Sequence, residues 1–293
     1  MVIGGSGFIG GRLVEALDKN NMETISYDII RSNEIRERAK WIGADILQLA
    51  SIERVFFEYD VEAIIHLVGL PSIEYCEKNP QFSFLLNVMS VQNALEAMRK
   101  TDIKRIVFAS TAAVYGYHSE RPVQEMDARN PSTIYGYHKL LAEEAIRSYR
   151  DSYGLNYVIL RLFNVYGGDA HTGKDVISIF LRKALRGEAL MVKGPNKYRD
   201  FVHVDDVVQA FVKAASSNLS DTTINVGSGE RTSLHQVAEI IKESFPQVEI
   251  KEEITTDDGT GLQADITLAM SRLGFSPKGP VEGIQEYVDS YAC

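Results

Sequence analysis

The chain has 293 residues, 45% of them hydrophobic and 24% charged, a balance that predicts a folded core and excludes disorder as its main theme. Its 31 Lys and Arg against 40 Asp and Glu leave a formal net charge of −9, which disfavours generic binding to nucleic acid or an anionic membrane, since both need a basic surface. No apolar run approaches the roughly 18 residues of a membrane span, and the opening Met1-Val2-Ile3-Gly4-Gly5 reads as fold rather than as a secretory leader.

Strands are predicted at Val2-Ile3, Thr24–Asp28, Ile42–Asp45 (the weakest), Glu62–Val68, Arg105–Ser110, Tyr157–Leu162 and Thr222–Val226. Helical periodicity falls between them, at Phe8–Asn20, Ser51–Tyr59, Phe82–Lys100, Ile134–Tyr153 and Asp205–Ser216. The runs Ala63–Val68 and Ile106–Ala109 are apolar on both faces, as strands covered by helices on both sides must be. Alternating β and α of this kind predicts a doubly wound parallel sheet joined by right-handed crossovers. After Val165 the rhythm changes: a helix is expected near Asp175–Leu185, another from the N-cap Ser233 through Phe245, and a third over Thr267–Leu273, ended by Gly274. Glu252–Gly261 reads as a surface loop. The expected division is residues 1–164 with about 201–226 as a cofactor domain, and about 165–200 with 227–293 as a small, sequence-discontinuous C-terminal substrate lobe. Two cysteines, Cys76 and Cys293, build neither a disulfide framework nor a thiolate metal site, so no metal and a cytoplasmic location are expected.

Two constellations carry chemistry. Gly4-x-x-Gly7-x-x-Gly10 lies between the first strand and the first helix, where absent side chains permit a tight turn and close approach of a pyrophosphate. The first turn of the helix, with Phe8 and Ile9, offers N–H groups and a partial positive charge to those phosphates. Asp28 ends the next strand, 18 residues beyond Gly10, where a carboxylate can accept from ribose hydroxyls and repel a 2′-phosphate; NAD is expected over NADP. The second constellation is Tyr135-Gly136-Tyr137-His138-Lys139. Residues four apart share a helix face, so the Lys139 ammonium is expected to lower the Tyr135 phenol into a useful range for proton exchange. Ser110-Thr111 ends a buried strand, at the edge of the sheet where ligands of open parallel sheets bind.

These motifs, with Asp45-Ile46, His66-Leu67-Val68-Gly69, Asn87, Ser110–Gly116, Arg161–Gly167, Arg199–Asp206 and Asn225–Gly229 in that order, make the chain resemble the extended short-chain dehydrogenase/reductase family over nearly its whole length. The likeness is to its NAD-dependent nucleotide-sugar epimerase branch, of the UDP-glucose 4-epimerase type, with a Rossmann sheet. The resemblance implies that Tyr135 is the catalytic base, Thr111 its hydroxyl partner and Lys139 the residue holding the nicotinamide ribose. It further implies that Asp45 and Ile46 border the adenine, that Leu67, Val68 and Gly69 line the cofactor channel, and that Asn87 supports the site. Thr111, Asn164 and Arg199 fall at substrate-binding positions, the last two against the diphosphate of a nucleoside-diphosphate sugar.

Departures from the family pattern are equally informative. Related dehydratases and decarboxylases carry an acidic residue shortly after the catalytic Thr, where this chain has Ala112-Ala113. The stretch Ile254–Asp265 lacks the Arg that often grips the second phosphate, and Thr255 stands near its place. His138 replaces a small Ser, and the first strand is a stub of two or three residues unless the chain starts late. The expected activity is inversion at sugar C4 through a transient 4-keto sugar. The alternatives are a dehydrogenase or keto-reductase using the same residues, and a non-catalytic dinucleotide-binding protein. In relatives, Phe82–Lys100 and Ile134–Tyr153 form the faces of a homodimer; Leu86, Val91, Leu95, Leu140 and Ile146 are either part of such a face or ordinary core.

Overall fold

A computed structural model describes residues 1–31, 39–117 and 119–292; Cys293 lies outside the described residues. In chain order the elements are β1 (Val2–Ile3), α1 (Phe8–Lys19), β2 (Ile25–Asp28), β3 (Lys40–Gly43), α2 (Leu49–Glu58), β4 (Ala63–His66), α3 (Ile73–Lys78) and α4 (Pro80–Phe84). A π-helical turn at Leu85–Met89 follows, then α5 (Ser90–Arg99), β5 (Arg105–Thr111), a 3₁₀ turn at Ala112–Tyr115, α6 (Ile134–Tyr153), β6 (Asn156–Leu162) and β7 (Asn164–Tyr166). The remainder is α7 (Val176–Leu185), β8 (Leu190–Lys193), β9 (Tyr198–Arg199), β10 (Phe201–His203), α8 (Val204–Ser216), β11 (Thr222–Val226), β12 (Thr232–Ser233), α9 (Leu234–Ser244), β13 (Ile250–Glu253), α10 (Thr267–Leu273) and α11 (Pro280–Ala292).

The chain divides into two compact units. The first comprises residues 1–116, 128–161 and 208–224, and the second 117–127, 162–207 and 225–293. The first is organised by a seven-stranded sheet of order β11-β6-β5-β4-β1-β2-β3. The pairs β1–β2, β1–β4, β2–β3 and β4–β5 are parallel, as the two-sided apolar runs required. Strand order reverses between β1 and β4, which opens a crevice at their carboxyl ends. Although only two residues long, β1 pairs on both sides, with Val2 opposite Ser26 and Ile65. Ile3, Tyr27, Ile52, Ile64, Leu95, Met98, Ile106 and Phe108 are among the side chains of its core. Val91, Leu95 and Ile146 belong to that core too, so these three are not part of an exposed helix face.

The second unit has its own core, centred on Tyr166, Ile177, Phe180, Leu181, Val192, Ile241 and Val288. Three two-stranded ladders frame it: β7–β10 and β8–β13, both parallel, and β9–β12, antiparallel. Ser233 caps α9 in a reciprocal capping box with Gln236, which is why that helix starts where the Ser was expected to start it. Glu252 and Glu253 are not loop: they complete β13 and pair with Val192 and Lys193. Only the residues beyond them turn.

Candidate active site

Three segments of the first unit converge on the carboxyl edge of its sheet. After β1, Gly4 adopts φ +86°, a backbone conformation that side chains disfavour. A Cβ at Gly10 would stand 2.1 Å from the Gly4 carbonyl oxygen, so only Gly lets α1 sit this close to its strand. No side chain caps α1 at Gly7, and its first turn, where Phe8 is half exposed, presents backbone donors. The Ser6 N–H donates to Asp28 Oδ2 at 3.0 Å and the Ile30 N–H to Oδ1 at 3.2 Å, which holds the carboxylate at the rim of the glycine turn. This cradle of small residues, uncapped helix donors and a carboxylate one strand away fits a dinucleotide. Asp45 Oδ1 accepts from the Leu47 N–H at 2.9 Å. The Ile46 side chain is buried in the core, so any contact it makes with a ligand is through its backbone.

After β4, Leu67 donates to the Ile3 carbonyl at 2.9 Å, and Val68 lies against Gly4, where a Cβ would approach Val68 N to 3.0 Å. Asn87, fully buried in the π turn, accepts from the Leu70 N–H at 2.9 Å and donates to the Leu70 carbonyl at 3.3 Å and to Ser83 Oγ at 3.1 Å. The extra residue of a π turn re-aims a helix side chain, and here it clamps the loop after β4. A side chain at Gly69 would meet Asn87 Oδ1 at 2.9 Å and Lys139 Nζ at 3.8 Å. Gly69, Asn87 and Lys139 are therefore brought together, although the sequence separates them by up to 70 residues.

After β5, Thr111 caps the 3₁₀ turn, its Oγ1 accepting from the Ala113 N–H at 3.2 Å. Helix α6 packs on that turn and is capped by Thr133, whose Oγ1 accepts from the Gly136 N–H at 3.1 Å. Tyr135 thus sits in the first turn of α6, within hydrogen-bonding influence of Thr111. The expected lowering of the phenol by Lys139 does not prevail. Burial pushes Tyr135 up to about 12, with Thr111 pulling the other way. Burial likewise drives Lys139 down to about 7, against the attraction of Glu143. The reason is that removing water disfavours the charged form of both groups; the Phe108 ring, its centroid 4.1 Å from Lys139 Nζ, offsets only part of that for the ammonium.

Composition and spacing did not mark the groups behind this front row. Glu143, one helical turn beyond Lys139, is fully buried and accepts from Arg161 Nε and Nη2 at 3.0 and 2.8 Å and from Ser110 Oγ at 2.5 Å. Arg161 Nη1 also donates to the Tyr115 hydroxyl at 2.8 Å. This set ties β5, β6 and α6 into one frame; Ser110 and Arg161 stood in the sequence motifs without this role, and the i, i+4 step from Lys139 was the only trace of Glu143. His138 pairs through Nδ1 with Ser83 Oγ at 2.8 Å, so it supports the π turn from behind.

His66 is buried, and among the described residues neither ring nitrogen has a hydrogen-bond partner. Burial, reinforced by the Lys139 charge, drives it down to about 3. Its folded value lies below the ordinary 6.5, so its contribution to stability is complete above pH 6.5 and is lost as pH falls toward 3. Urea unfolding at pH 7.5 and 4.5 tests this. His66→Leu is expected to remove about 2 kcal/mol of the acid-induced loss, whereas equal losses in wild type and variant would refute the assignment.

Asn164 and Arg199 belong to the second unit. The Asn164 backbone N–H donates to the Asp200 carbonyl at 2.9 Å and Nδ2 reaches the same oxygen at 3.3 Å. Arg199 Nη1 donates to the Tyr198 carbonyl at 2.9 Å. Asp200, which carried no expected role, anchors this region. Its carboxylate accepts from the backbone N–H groups of Ser228, Gly229 and Ala264 and from Ser228 Oγ. Burial nevertheless raises it to about 6.

With this geometry in hand, the chain's relatives are informative. Residues 1–227 match the family described as NAD dependent epimerase/dehydratase. A Methanocaldococcus jannaschii protein provisionally named as a UDP-glucose 4-epimerase is 37% identical, over 99% of this chain and 97% of its own length. UDP-glucuronic acid decarboxylase 6 of Arabidopsis thaliana is 33% identical, over 95% of this chain and 84% of its own. The crystal structure of a Thermus thermophilus UDP-glucose 4-epimerase in complex with NAD superposes with a TM-score of 0.90 at 29% identity, covering 99% of this chain and 97% of that one. The chain belongs to the NAD-dependent epimerase/dehydratase family. Within it, the chain lies in the extended short-chain dehydrogenase/reductase epimerase branch.

Proposed function

We propose that this chain is an NAD-dependent nucleotide-sugar 4-epimerase acting on a nucleoside-diphosphate sugar. The observation that carries the reading is the convergence of the glycine cradle, the Gly69–Asn87–Lys139 cluster and the Thr111–Tyr135 pair on one edge of a parallel sheet. In this reading Gly4, Gly7, Phe8, Ile9, Gly10 and Asp28 hold the pyrophosphate and adenosine ribose. Asp45 and Ile46 border the adenine, Leu67, Val68 and Gly69 line the channel, and Lys139 with Asn87 fixes the far ribose. When bound, NAD supplies a reversible two-electron acceptor for the sugar carbon. Tyr135 removes the proton from the 4-hydroxyl and returns it to the same oxygen when the 4-keto sugar is reduced on its other face, with Thr111 steering that oxygen. Because burial keeps the phenol neutral in the free chain, proton transfer waits for a filled, charged site. Asn164 and Arg199 grip the diphosphate, a role suited to the guanidinium fork. Residues 1–164 with about 201–226 form the cofactor-binding part in this account, and the rest the substrate lobe.

The decarboxylase-like relative raises a second reading, against which Ala112 and Ala113 speak: no carboxyl group follows Thr111. Incubation with UDP-glucose, UDP-N-acetylglucosamine and UDP-glucuronic acid, followed by NMR, separates the possibilities. A C4-inverted product without net NADH is expected. Loss of carbon dioxide from the glucuronic acid would favour a decarboxylase, and stoichiometric NADH a dehydrogenase.

No helix among the described residues is long and apolar enough to cross a membrane, which suits the cytoplasmic location proposed here. Ile73, Tyr75, Phe82, Leu85, Tyr137 and Leu141 are exposed on α3, α4, the π turn and α6. This apolar set supports a homodimer built through those helices. Gel filtration with light scattering is expected to give twice the chain mass, and Leu141→Glu to give the monomer.

A further inference from the structure

The second unit holds a mostly buried lysine, Lys197, to which the sequence motifs give no role. Strands β8 and β13 run parallel into two adjacent turns, Gly194–Lys197 and Thr255–Asp258. Asp258 fastens the turns together by accepting from the Asn196 N–H at 2.8 Å and from Asn196 Nδ2 at 2.9 Å. The Lys197 stem lies across Gly194, where a Cβ would meet Cδ and Cε at 2.7 Å and Thr255 Oγ1 at 2.8 Å. Lys197 Nζ reaches Asp257 Oδ1 at 2.7 Å, and Thr255 Oγ1 donates to the same oxygen at 2.8 Å. The Lys197 side chain is 14% exposed against 61% for Asp257, so a mostly buried ammonium is covered by an exposed carboxylate.

Lys197 ends its turn and leads directly into β9, so it stands two residues before Arg199 in the chain. Arg199 is partly buried, and Asp257 is the strongest of the negative charges acting on it. Among the described residues it forms no ion pair of its own. Asp257 thus pairs directly with Lys197 and acts on Arg199 through its charge alone. Such an arrangement keeps an excess of positive charge at rest and becomes a stronger anion site once the aspartate swings into water.

We propose that Lys197 is the second diphosphate-binding cation of this chain, standing in for the arginine replaced by Thr255, and that Asp257 is a resident anion displaced by the substrate diphosphate. The inference rests on the reading that Arg199 binds that diphosphate. Rotation of Asp257 away from Lys197 breaks one ion pair and leaves Nζ free to donate to a phosphate oxygen.

Calorimetric titration of the full chain with UDP, and with uridine as the phosphate-free control, tests it. Lys197→Met is expected to weaken UDP about tenfold, the worth of one charged hydrogen bond, and to leave uridine unchanged. Lys197→Arg is expected to retain UDP affinity. Asp257→Asn is expected to tighten UDP severalfold, and to lose that gain when combined with Lys197→Met. A purely structural Lys197–Asp257 pair would instead make both single variants bind UDP and uridine worse. Unchanged UDP affinity in Lys197→Met, or weaker binding in Asp257→Asn, would overturn the inference. If Arg199→Ala weakens UDP while Lys197→Met does not, the diphosphate reading survives and this one fails. If Arg199→Ala is also silent, the diphosphate reading itself falls. Should Lys197→Met fail to fold, Asp257→Asn and Lys197→Arg still decide.

Discussion

Tyr135→Phe is expected to reduce kcat about a thousandfold while changing NAD and UDP affinities less than threefold. The phenol is the proton-transferring group in this account, and a positioned acid–base group contributes roughly 10²–10⁴ in rate. Removing one oxygen leaves the ring, its packing and the Thr133 cap of α6 in place. Because burial raises the folded value of Tyr135 to about 12, the free chain carries no phenolate near neutrality, and the substitution removes no charge. Stability is therefore expected to change little. Stopped-flow turnover with parallel calorimetry checks both halves. Turnover within tenfold of wild type would show that another group moves the proton, and lost NAD binding would show that the hydroxyl holds the cofactor and does not act on the proton alone.

Lys139→Met is expected to make the protein more stable and nearly inactive. Burial brings the ammonium from 10.5 down to about 7, a fall of the order of 4 kcal/mol when the unfolded chain holds its proton. The fall to about 7 is already net of the attraction of Glu143, and what is further lost with the charge is the cation over the Phe108 ring at 4.1 Å. The Glu143 carboxylate stays paired with Arg161 when Lys139 is removed, so no uncompensated buried charge is created. A net gain of about 2–3 kcal/mol at pH 6.5 remains. The sign follows from proton counting: between about 7 and 10.5 the unfolded chain binds more protons at this site than the folded one, so wild-type stability rises with pH across that window. The advantage of the variant is largest below pH 7 and vanishes above 10.5. NAD affinity and turnover are each expected to fall at least tenfold, since Lys139 is the residue proposed to fix the ribose. Urea denaturation from pH 6 to 10 is the measurement; a less stable variant at pH 6.5 would mean that Lys139 is held as a stabilising ion pair.

A site residue that weakens its own fold also shows what the sequence could and could not reveal. Strands β4 and β5 and helix α6 were legible because apolar runs and the 3.6 period record burial directly, and Thr222–Val226, Ile134–Tyr153 and Thr267–Leu273 were bounded as found. Helix α3 was missed because six residues after Pro71-Ser72 carry too little periodicity. Helix α11 was missed because Pro280 at its start reads as a turn signal as readily as an N1 residue. The expected helix Phe82–Lys100 is broken by the π turn at Leu85–Met89, whose extra residue exists to aim Asn87 and leaves no compositional mark.

In the site, the side chains were readable but their charge states were not. Spacing placed Tyr135 and Lys139 on one helix face, yet which charged form wins depends on the water that Phe108, Gly69 and Asn87 exclude. Those neighbours come from three other segments. The same holds for Glu143, Ser83 and Asp200, whose roles are defined by partners 18 to 64 residues away. The Lys197–Asp257 pair is a case of the same kind: an absent arginine was visible in the chain, and the side chain lying where it would act was not.

The most direct test is a substrate labelled with deuterium at carbon 4. With UDP-[4-²H]galactose in ordinary water, the account predicts UDP-glucose that keeps its deuterium at carbon 4, formed more slowly than from unlabelled sugar and with no accumulation of NADH. Loss of the label to solvent, or product formation with the carbon 4 label undisturbed and its configuration unchanged, would contradict it.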